Sequence, residues 1–350
     1  MAVFLRFRCI PFPRSQRGFV IVFVLGMVFL ASLLLTAFIE RSGVELAAET
    51  KAAQRVFLRE EAYAVLEWAQ AALADQAALH AGLHSPAEGW GRPLEIYDYA
   101  APPGIKVDVV VADETGKLPL AVVDDATLRL FLGVLGLAAT DADELSDALL
   151  TWTRADHASL YRELDDAYSH PPGRPLRTFD ELRCLPAARR CLLDKDGRWN
   201  ELGRRFCAEA SLYEFDRINA NTASGMVFRS LGLSVPDAAF EGQPKGPQGK
   251  VDARPIYTTA DDIRSVFGSS PAALRLRAQA NCVRVTVLTR SGSRGFRLEA
   301  VIDLGADPVK SPVHSAAADP QRASPRPWTA LGSRSGLRFL EITESDTHGS

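Results

Sequence analysis

Positive charge is not in surplus in this 350-residue chain: 40 lysines and arginines stand against 43 aspartates and glutamates, a formal net charge of −3. Nucleic-acid binders usually carry a basic excess, so the composition speaks against a polyanionic partner. Enzyme signatures are equally scarce. The six histidines (His80, His84, His157, His170, His314 and His348) form no H-E-x-x-H pair, and no G-x-S-x-G is present. "GPQGKV" is not a P-loop, because the four-residue gap and a Ser or Thr after Lys250 are missing. His80 and His84 sit four residues apart with no third ligand nearby, and they read as exposed. Acids are absent before Glu40, and charge of either sign is absent from Phe19 to Ile39.

Cysteine is sparse as well, with five in the chain. Cys9 lies upstream of the apolar run, whereas Cys184, Cys191, Cys207 and Cys282 lie beyond it. An even number there fits an oxidising compartment, and the crowding of Cys184, Cys191 and Cys207 predicts at least one disulfide among them. Small buried thiols are the alternative reading. The sequence does not choose among the pairings.

What is present is an uncharged run from Phe19 to Ile39, about 21 residues and roughly 31 Å of helix, enough to span a bilayer. It is too long for the apolar core of a cleavable secretory signal, and Glu40-Arg41-Ser42 offers no small-x-small cleavage site. Arg6, Arg8, Arg14 and Arg17 precede it, which holds the N-terminus in the cytoplasm and exports the rest. No proline interrupts Val44 to Ala81, and Leu58, Ala62, Leu66, Ala69 and Leu73 recur at helical spacing. Glu60, Glu61, Glu67 and Gln70 fall largely off that stripe. One helix of about 60 residues is predicted, closed by Gly82 and Pro86.

Arg17-Gly18 before Phe19, with that helix behind it, resembles the leader of type IV pilins and pseudopilins. The resemblance implies that a prepilin peptidase cuts after Gly18 on the cytoplasmic side and that Phe19 becomes the new N-terminus. Pilins usually carry a glutamate as the fifth mature residue, and here that place is Phe23. A carboxylate in lipid costs about 2.5–3.5 kcal/mol on insertion scales, and in pilins a neighbouring subunit's terminal amine compensates it. A subunit without it suits the filament tip, and the K-type minor pseudopilin of type II secretion is the one known to lack it.

The remaining pattern is α+β. Ile105, Val107, Val109 and Val111 alternate as in a half-buried strand. Val283, Val285 and Val287, then Phe296, Leu298, Ala300 and Ile302, read as a hairpin turning at Ser291-Gly292-Ser293, with a last strand from Leu337 to Ile342. Between them the chain reads as helical. Asp124 or Asp125 caps one helix through Leu135, and Thr140 or Asp141 caps the next, with Leu145, Leu149 and Trp152 on one face. Thr178 to Glu181 fits a capping box, and further short helices follow. Glu241 to Pro255 and Gly305 to Pro327 look like linkers. The expected organisation is a leader at 1–18, a membrane segment at 19–39 and an exported helix at 40–82. A pilin-like sheet follows from 83–123 and 281–343, with an all-α domain inserted at 124–280.

A large helical insertion is what the K-type subunit carries, and "ADETGKLPL", "LSDALLTWTRAD", "RPLRTFDELRCL" and "RINANTAS" resemble its landmarks. Leu118-Pro119-Leu120 and Thr151-Trp152-Thr153-Arg154 depart from the family pattern. The resemblance implies a single-pass inner-membrane protein, mostly periplasmic, without catalysis, at the tip of a pseudopilus. Its implied partners are I-like and J-like minor pseudopilins, the peptidase, the inner-membrane assembly platform and, indirectly, secreted exoproteins. A tip pilin of a type IV pilus or DNA-uptake machine, or an anchored periplasmic binding protein, are the rival readings.

Calcium is the one cofactor suggested: helical domains of this family bind it through acidic loops, and Asp156, Glu163, Asp165 and Asp166 are the candidate ligands. Arg154 works against it, and a solvated acidic loop is the other reading. "LLDKDGRWNELG" matches an EF-hand at Asp194, Asp196 and Gly197 but not at Leu192 and Gly203. "INANTAS" has a likeness to helix-hairpin-helix DNA-binding modules. It is read instead as Asn219 or Asn221 capping a helix, with no nucleic-acid partner.

Overall fold

The computed structural model describes residues 16–96, 99–158, 171–234, 256–305 and 337–348. Helix α1 runs unbroken from Gln16 to Leu79, 64 residues. The chain divides into two compact units, one ending at Phe57 and the other beginning at Leu58. Within the first, every side chain from Val20 to Ile39 is exposed. The two hydroxyls in this run bond back to the helix itself, Ser32 Oγ to the Val28 carbonyl at 2.8 Å and Thr36 Oγ1 to that of Ser32 at 3.0 Å. No polar group of the run needs a partner from outside the helix.

The second unit opens with the rest of α1. Leu58, Ala62, Leu66, Ala69 and Leu73 are all buried, as the spacing predicts, and Val65 and Ala72 widen the stripe. Gln70 departs from expectation: it is buried beside the stripe instead of facing solvent. After Leu79 the chain leaves the helix through Ala81 (φ 55°) and Gly82 (φ 136°), whose N–H closes on the Ala77 carbonyl at 2.8 Å. At this φ a side chain would be strained, so the turn needs a glycine, and a Cβ would also push aside the Gln279 amide 2.7 Å away. A short helix, α2 (Pro93–Ile96), leads to strand β1 (Lys106–Asp113).

From β1 the chain passes through a two-residue strand, β2 (Leu118–Pro119), into helices α3 (Asp125–Leu135) and α4 (Ala139–Thr153). Asp124 caps α3, its carboxylate accepting the Thr127 N–H at 2.8 Å. Neither Thr140 nor Asp141 caps α4. Ala138 holds the cap position without a side-chain bond, and Asp141 lies inside the first turn, where a negative charge suits the helix dipole. A 3-10 turn at Phe179–Cys184 precedes α5 (Pro186–Leu192) and α6 (Glu201–Glu209), the latter capped by Asn200. The capping box expected at Thr178 does not form. Glu181 instead accepts from the Arg177 N–H (2.8 Å), the Trp152 indole (3.3 Å) and the Arg174 guanidinium.

Strands β3 (Ala210–Ser211) and β4 (Ile218–Asn219) follow, then α7 (Gly225–Ser230), α8 (Ala260–Phe267) and β5 (Leu276–Arg277). Ser224, not Asn219 or Asn221, caps α7. Thr259 and Asp262 form a capping box on α8. The chain then returns to the sheet as β6 (Cys282–Ser291), β7 (Arg294–Asp303) and β8 (Arg338–His348). The expected linker at Glu241 to Pro255 lies outside the described residues, as does that at Gly305 to Pro327 apart from Gly305.

The main sheet is antiparallel in the order β1-β6-β7-β8. Val283, Val285 and Val287 pair with Ile302, Ala300 and Leu298, all facing the α1 stripe in one core. Successive strand residues point to opposite faces. Accordingly Cys282 and Val301, with Leu340, enter a second core built from the helices, whose centre holds Leu128, Phe131, Leu145, Leu182 and Phe206. The sheet thus carries α1 on one face and the helical mass on the other. Leu66→Ala should destabilise the unit by about 2–5 kcal/mol, because the cavity opens against strands that cannot collapse inward. Urea denaturation of the detergent-solubilised chain measures this, and Ala64→Ser on the exposed side of α1 should change little.

Candidate assembly surfaces and a buried polar seam

Three regions stand out, and the first carries the residues expected to direct processing and assembly. The first is the apolar part of α1, the one described helix long and apolar enough to cross a membrane. Gly18 and Phe19 lie in its first turns, and Phe23 is 59% exposed. The second is the solvent side of α1 in the second unit. There Ala64, Trp68, Ala71, Asp75 and Ala78 share a face, and Trp68 stays 44% exposed while stacking edge-on against Tyr99 at 5.9 Å. Beside it Arg59 and Tyr63 grip Glu344 of β8 at 2.7 and 2.6 Å, tying helix to sheet edge.

The third region is a buried polar seam that joins "ADETGKLPL" to "RINANTAS". Asp113, at the end of β1, is buried. Its Oδ1 accepts the Thr115 N–H (2.8 Å) and hydroxyl (2.6 Å), and its Oδ2 accepts the Asn219 amide (2.7 Å) and the Thr222 hydroxyl (2.5 Å). Burial pushes this carboxyl above the ordinary range, against the pull of those four donors. The Asn219 amide also reaches the His84 carbonyl at 2.9 Å, so one side chain links three chain segments. Gly116 is needed for the approach: a Cβ there would lie 2.4 Å from the Thr222 hydroxyl and 2.9 Å from its backbone carbon.

Next to Asp113, Glu114 is buried with Lys117 Nζ at 2.9 Å and Arg284 Nε at 2.7 Å. Burial raises its pKa, but the two cations outweigh this and hold it below the ordinary glutamate range. Arg284 is shared with Glu299 at 3.4 Å, and Tyr213 donates its hydroxyl to Glu341 across the same seam. Asn221 completes the joint, bonding the Tyr257 N–H and carbonyl and the Ala278 carbonyl, each at 2.8 Å. Both asparagines are therefore internal staples.

Other sequence expectations change with the geometry. Among the described residues Cys184, Cys191, Cys207 and Cys282 stand as free thiols, where at least one disulfide was expected. The first three pack against the helical core as small hydrophobes, Cys282 is buried in it, and burial raises the Cys207 thiol to about 11. His84 is not exposed. It is buried, with Nδ1 2.9 Å from the Glu88 carboxylate. Of the proposed calcium ligands, Asp156 is exposed, while Glu163, Asp165 and Asp166 lie outside the described residues. Among the described residues no three His, Cys, Asp or Glu side chains come together to hold a metal. Asp194 spends its Oδ1 on the Asp196 and Arg198 N–H groups at 2.9 Å, a local turn. The internal pairing of Asp147 with His157, at 2.9 Å, had no sequence signal beyond an acid at helical spacing from Thr151.

No family model and no curated protein matches the chain. Arg284→Gln should cost about 3–5 kcal/mol near neutral pH by leaving a buried carboxylate half-paired. The depressed pKa of Glu114 supplies stability above the unfolded value that is lost as pH falls through the folded one. The deficit of the variant should therefore shrink on acidification, which denaturation at neutral and mildly acidic pH compares directly. In fold the protein is similar to a chain in the crystal structure of the GspK-GspI-GspJ complex from the type 2 secretion system of enterotoxigenic Escherichia coli, with a TM-score of 0.50 and 12% identity over 87% of this chain and 100% of that one. The architecture is a pilin-like α+β fold.

Proposed function

We propose that this chain is a minor pseudopilin of a bacterial type II secretion system, most like the K subunit, standing at the tip of a short periplasmic filament. One observation carries the reading: a single helix is apolar and exposed over Val20 to Ile39, then buries a stripe on an antiparallel sheet whose opposite face bears a helical mass. The likeness in fold to a chain of the GspK-GspI-GspJ complex of a type 2 secretion system supports it.

In this reading the prepilin peptidase cuts after Gly18, and the segment from Phe19 to Ile39 gathers with other subunits' helices in the inner membrane. The N-terminus faces the cytoplasm and everything beyond Ile39 is periplasmic. The face bearing Ala64, Trp68 and Ala71 is offered to I-like and J-like subunits, since small residues allow close helix approach around one aromatic anchor. The helical domain, residues 124–280, would obstruct a subunit stacked above, which favours the tip. The role is mechanical: assembly on the inner-membrane platform and export of folded proteins, with force from a separate ATPase.

N-terminal mass spectrometry tests the maturation step. The mature chain should begin at methylated Phe19, and Gly18→Leu should leave the leader in place and abolish secretion. An intact leader in the unaltered protein points to an anchored periplasmic protein instead. A secretion defect in the absence of any pilus phenotype separates type II secretion from a type IV pilus.

A further inference from the structure

We infer that Asn281 holds buried water at the joint where the end of α1, the sheet and the helical domain meet. Asn281 precedes β6 and is 1% exposed, yet neither its Nδ2 nor its Oδ1 has a hydrogen-bond partner. Its backbone is fully used: the N–H donates to Thr115 Oγ1 at 3.3 Å, and the carbonyl accepts from Leu304 N at 2.8 Å. The backbone therefore fixes the residue in place, and the side-chain amide cannot swing out to bulk solvent.

A primary amide presents two donors and two acceptor sites. Buried polar side chains are almost always satisfied, and a site that satisfies none of the four is explained by an ordered ligand. That ligand must both donate and accept and must be small enough for an enclosed site, which selects water over an ion. Two more buried atoms in this part of the molecule have the same character. Trp90 Nε1, a donor only, and Gln76 Oε1, an acceptor only, are also without partners. Trp90 packs in the core that contains Leu83 and Ala280, and the Leu83–Ala280 bridge directly precedes Asn281. Donor and acceptor atoms of the chain are both represented, as hydration requires.

The consequence is that the joint is closed partly by solvent. Asp113, Asn219 and Thr115 satisfy one another directly, whereas Asn281, one hydrogen bond from Thr115, relies on water. Replacing Asn281 by leucine, which has nearly the same shape, distinguishes the two cases by sign. If water is held, Asn281→Leu expels it, strips its other partners, and lowers the melting temperature of the detergent-solubilised full chain by about 2–4 °C or more. If the site is dry, the substitution removes an unsatisfied amide and raises the melting temperature, which overturns the inference. A high-resolution structure of the unaltered protein decides independently of folding. Ordered water within about 3.2 Å of both amide atoms is expected, and a site without such density would sink the proposal even if the variant fails to fold.

Discussion

The stripe of Leu58, Ala62, Val65, Leu66, Ala69 and Leu73 against the inner faces of β6 and β7 is the contact on which the second unit depends. Alanine at alternate turns lets the helix lie close, and the leucines fill the grooves between valines. Each buried leucine contributes about 1.5–3 kcal/mol relative to exposure. The placement of the stripe also fixes the register of the sheet. Val283, Val285 and Val287 must face α1, so Cys282 must face the other way, and the helical core takes it up. A one-residue slip of β6 would put valine where the helical domain expects a small thiol and leave the α1 grooves unfilled.

Periodicity made much of this legible in advance. The stripe, the hairpin with its turn at Gly292, the last strand and the Asp124 cap of α3 all follow from local rules of spacing and capping. Gln70 and His84 did not, because both are polar residues buried by tertiary neighbours that no local window contains. The crowding of Cys184, Cys191 and Cys207 along the chain likewise said nothing about where their side chains point once they lie on a 3-10 turn and two separate helices. Proximity in sequence is a weak guide to a bond that requires Cα atoms within about 7 Å and matched Cβ directions.

The seam shows the same limit in a different form. "ADETGKLPL" and "INANTAS" were visible as unusual phrases, but their meaning is mutual: Asp113 is tolerable only because Asn219 and Thr222 arrive from more than a hundred positions away. Read alone, "INANTAS" has a likeness to a phosphate-holding turn, and "ADETGKLPL" gives no hint of a partner. Together they neutralise one another. An apolar seam would bind the sheet and the helical mass as firmly, but it would accept many registers, whereas a carboxylate with four donors accepts one. Gly116 enforces this, since any side chain there would hold the two turns apart.

Asp113 and Phe23 are two answers to one electrostatic problem. A carboxylate can sit in a low-dielectric place only where donors surround it, because desolvation otherwise favours the neutral acid. At position 113 the chain provides four donors from within itself. At position 23 it could provide none, for the neighbouring N–H groups are committed to the helix and the side chain points outward. An acid there would depend on a cation brought by another molecule. With phenylalanine the segment is content with lipid or with apolar helices on every side, and makes no demand on a subunit above it. That self-sufficiency suits the tip position proposed for the protein, and it links the least polar stretch of the chain to that proposal.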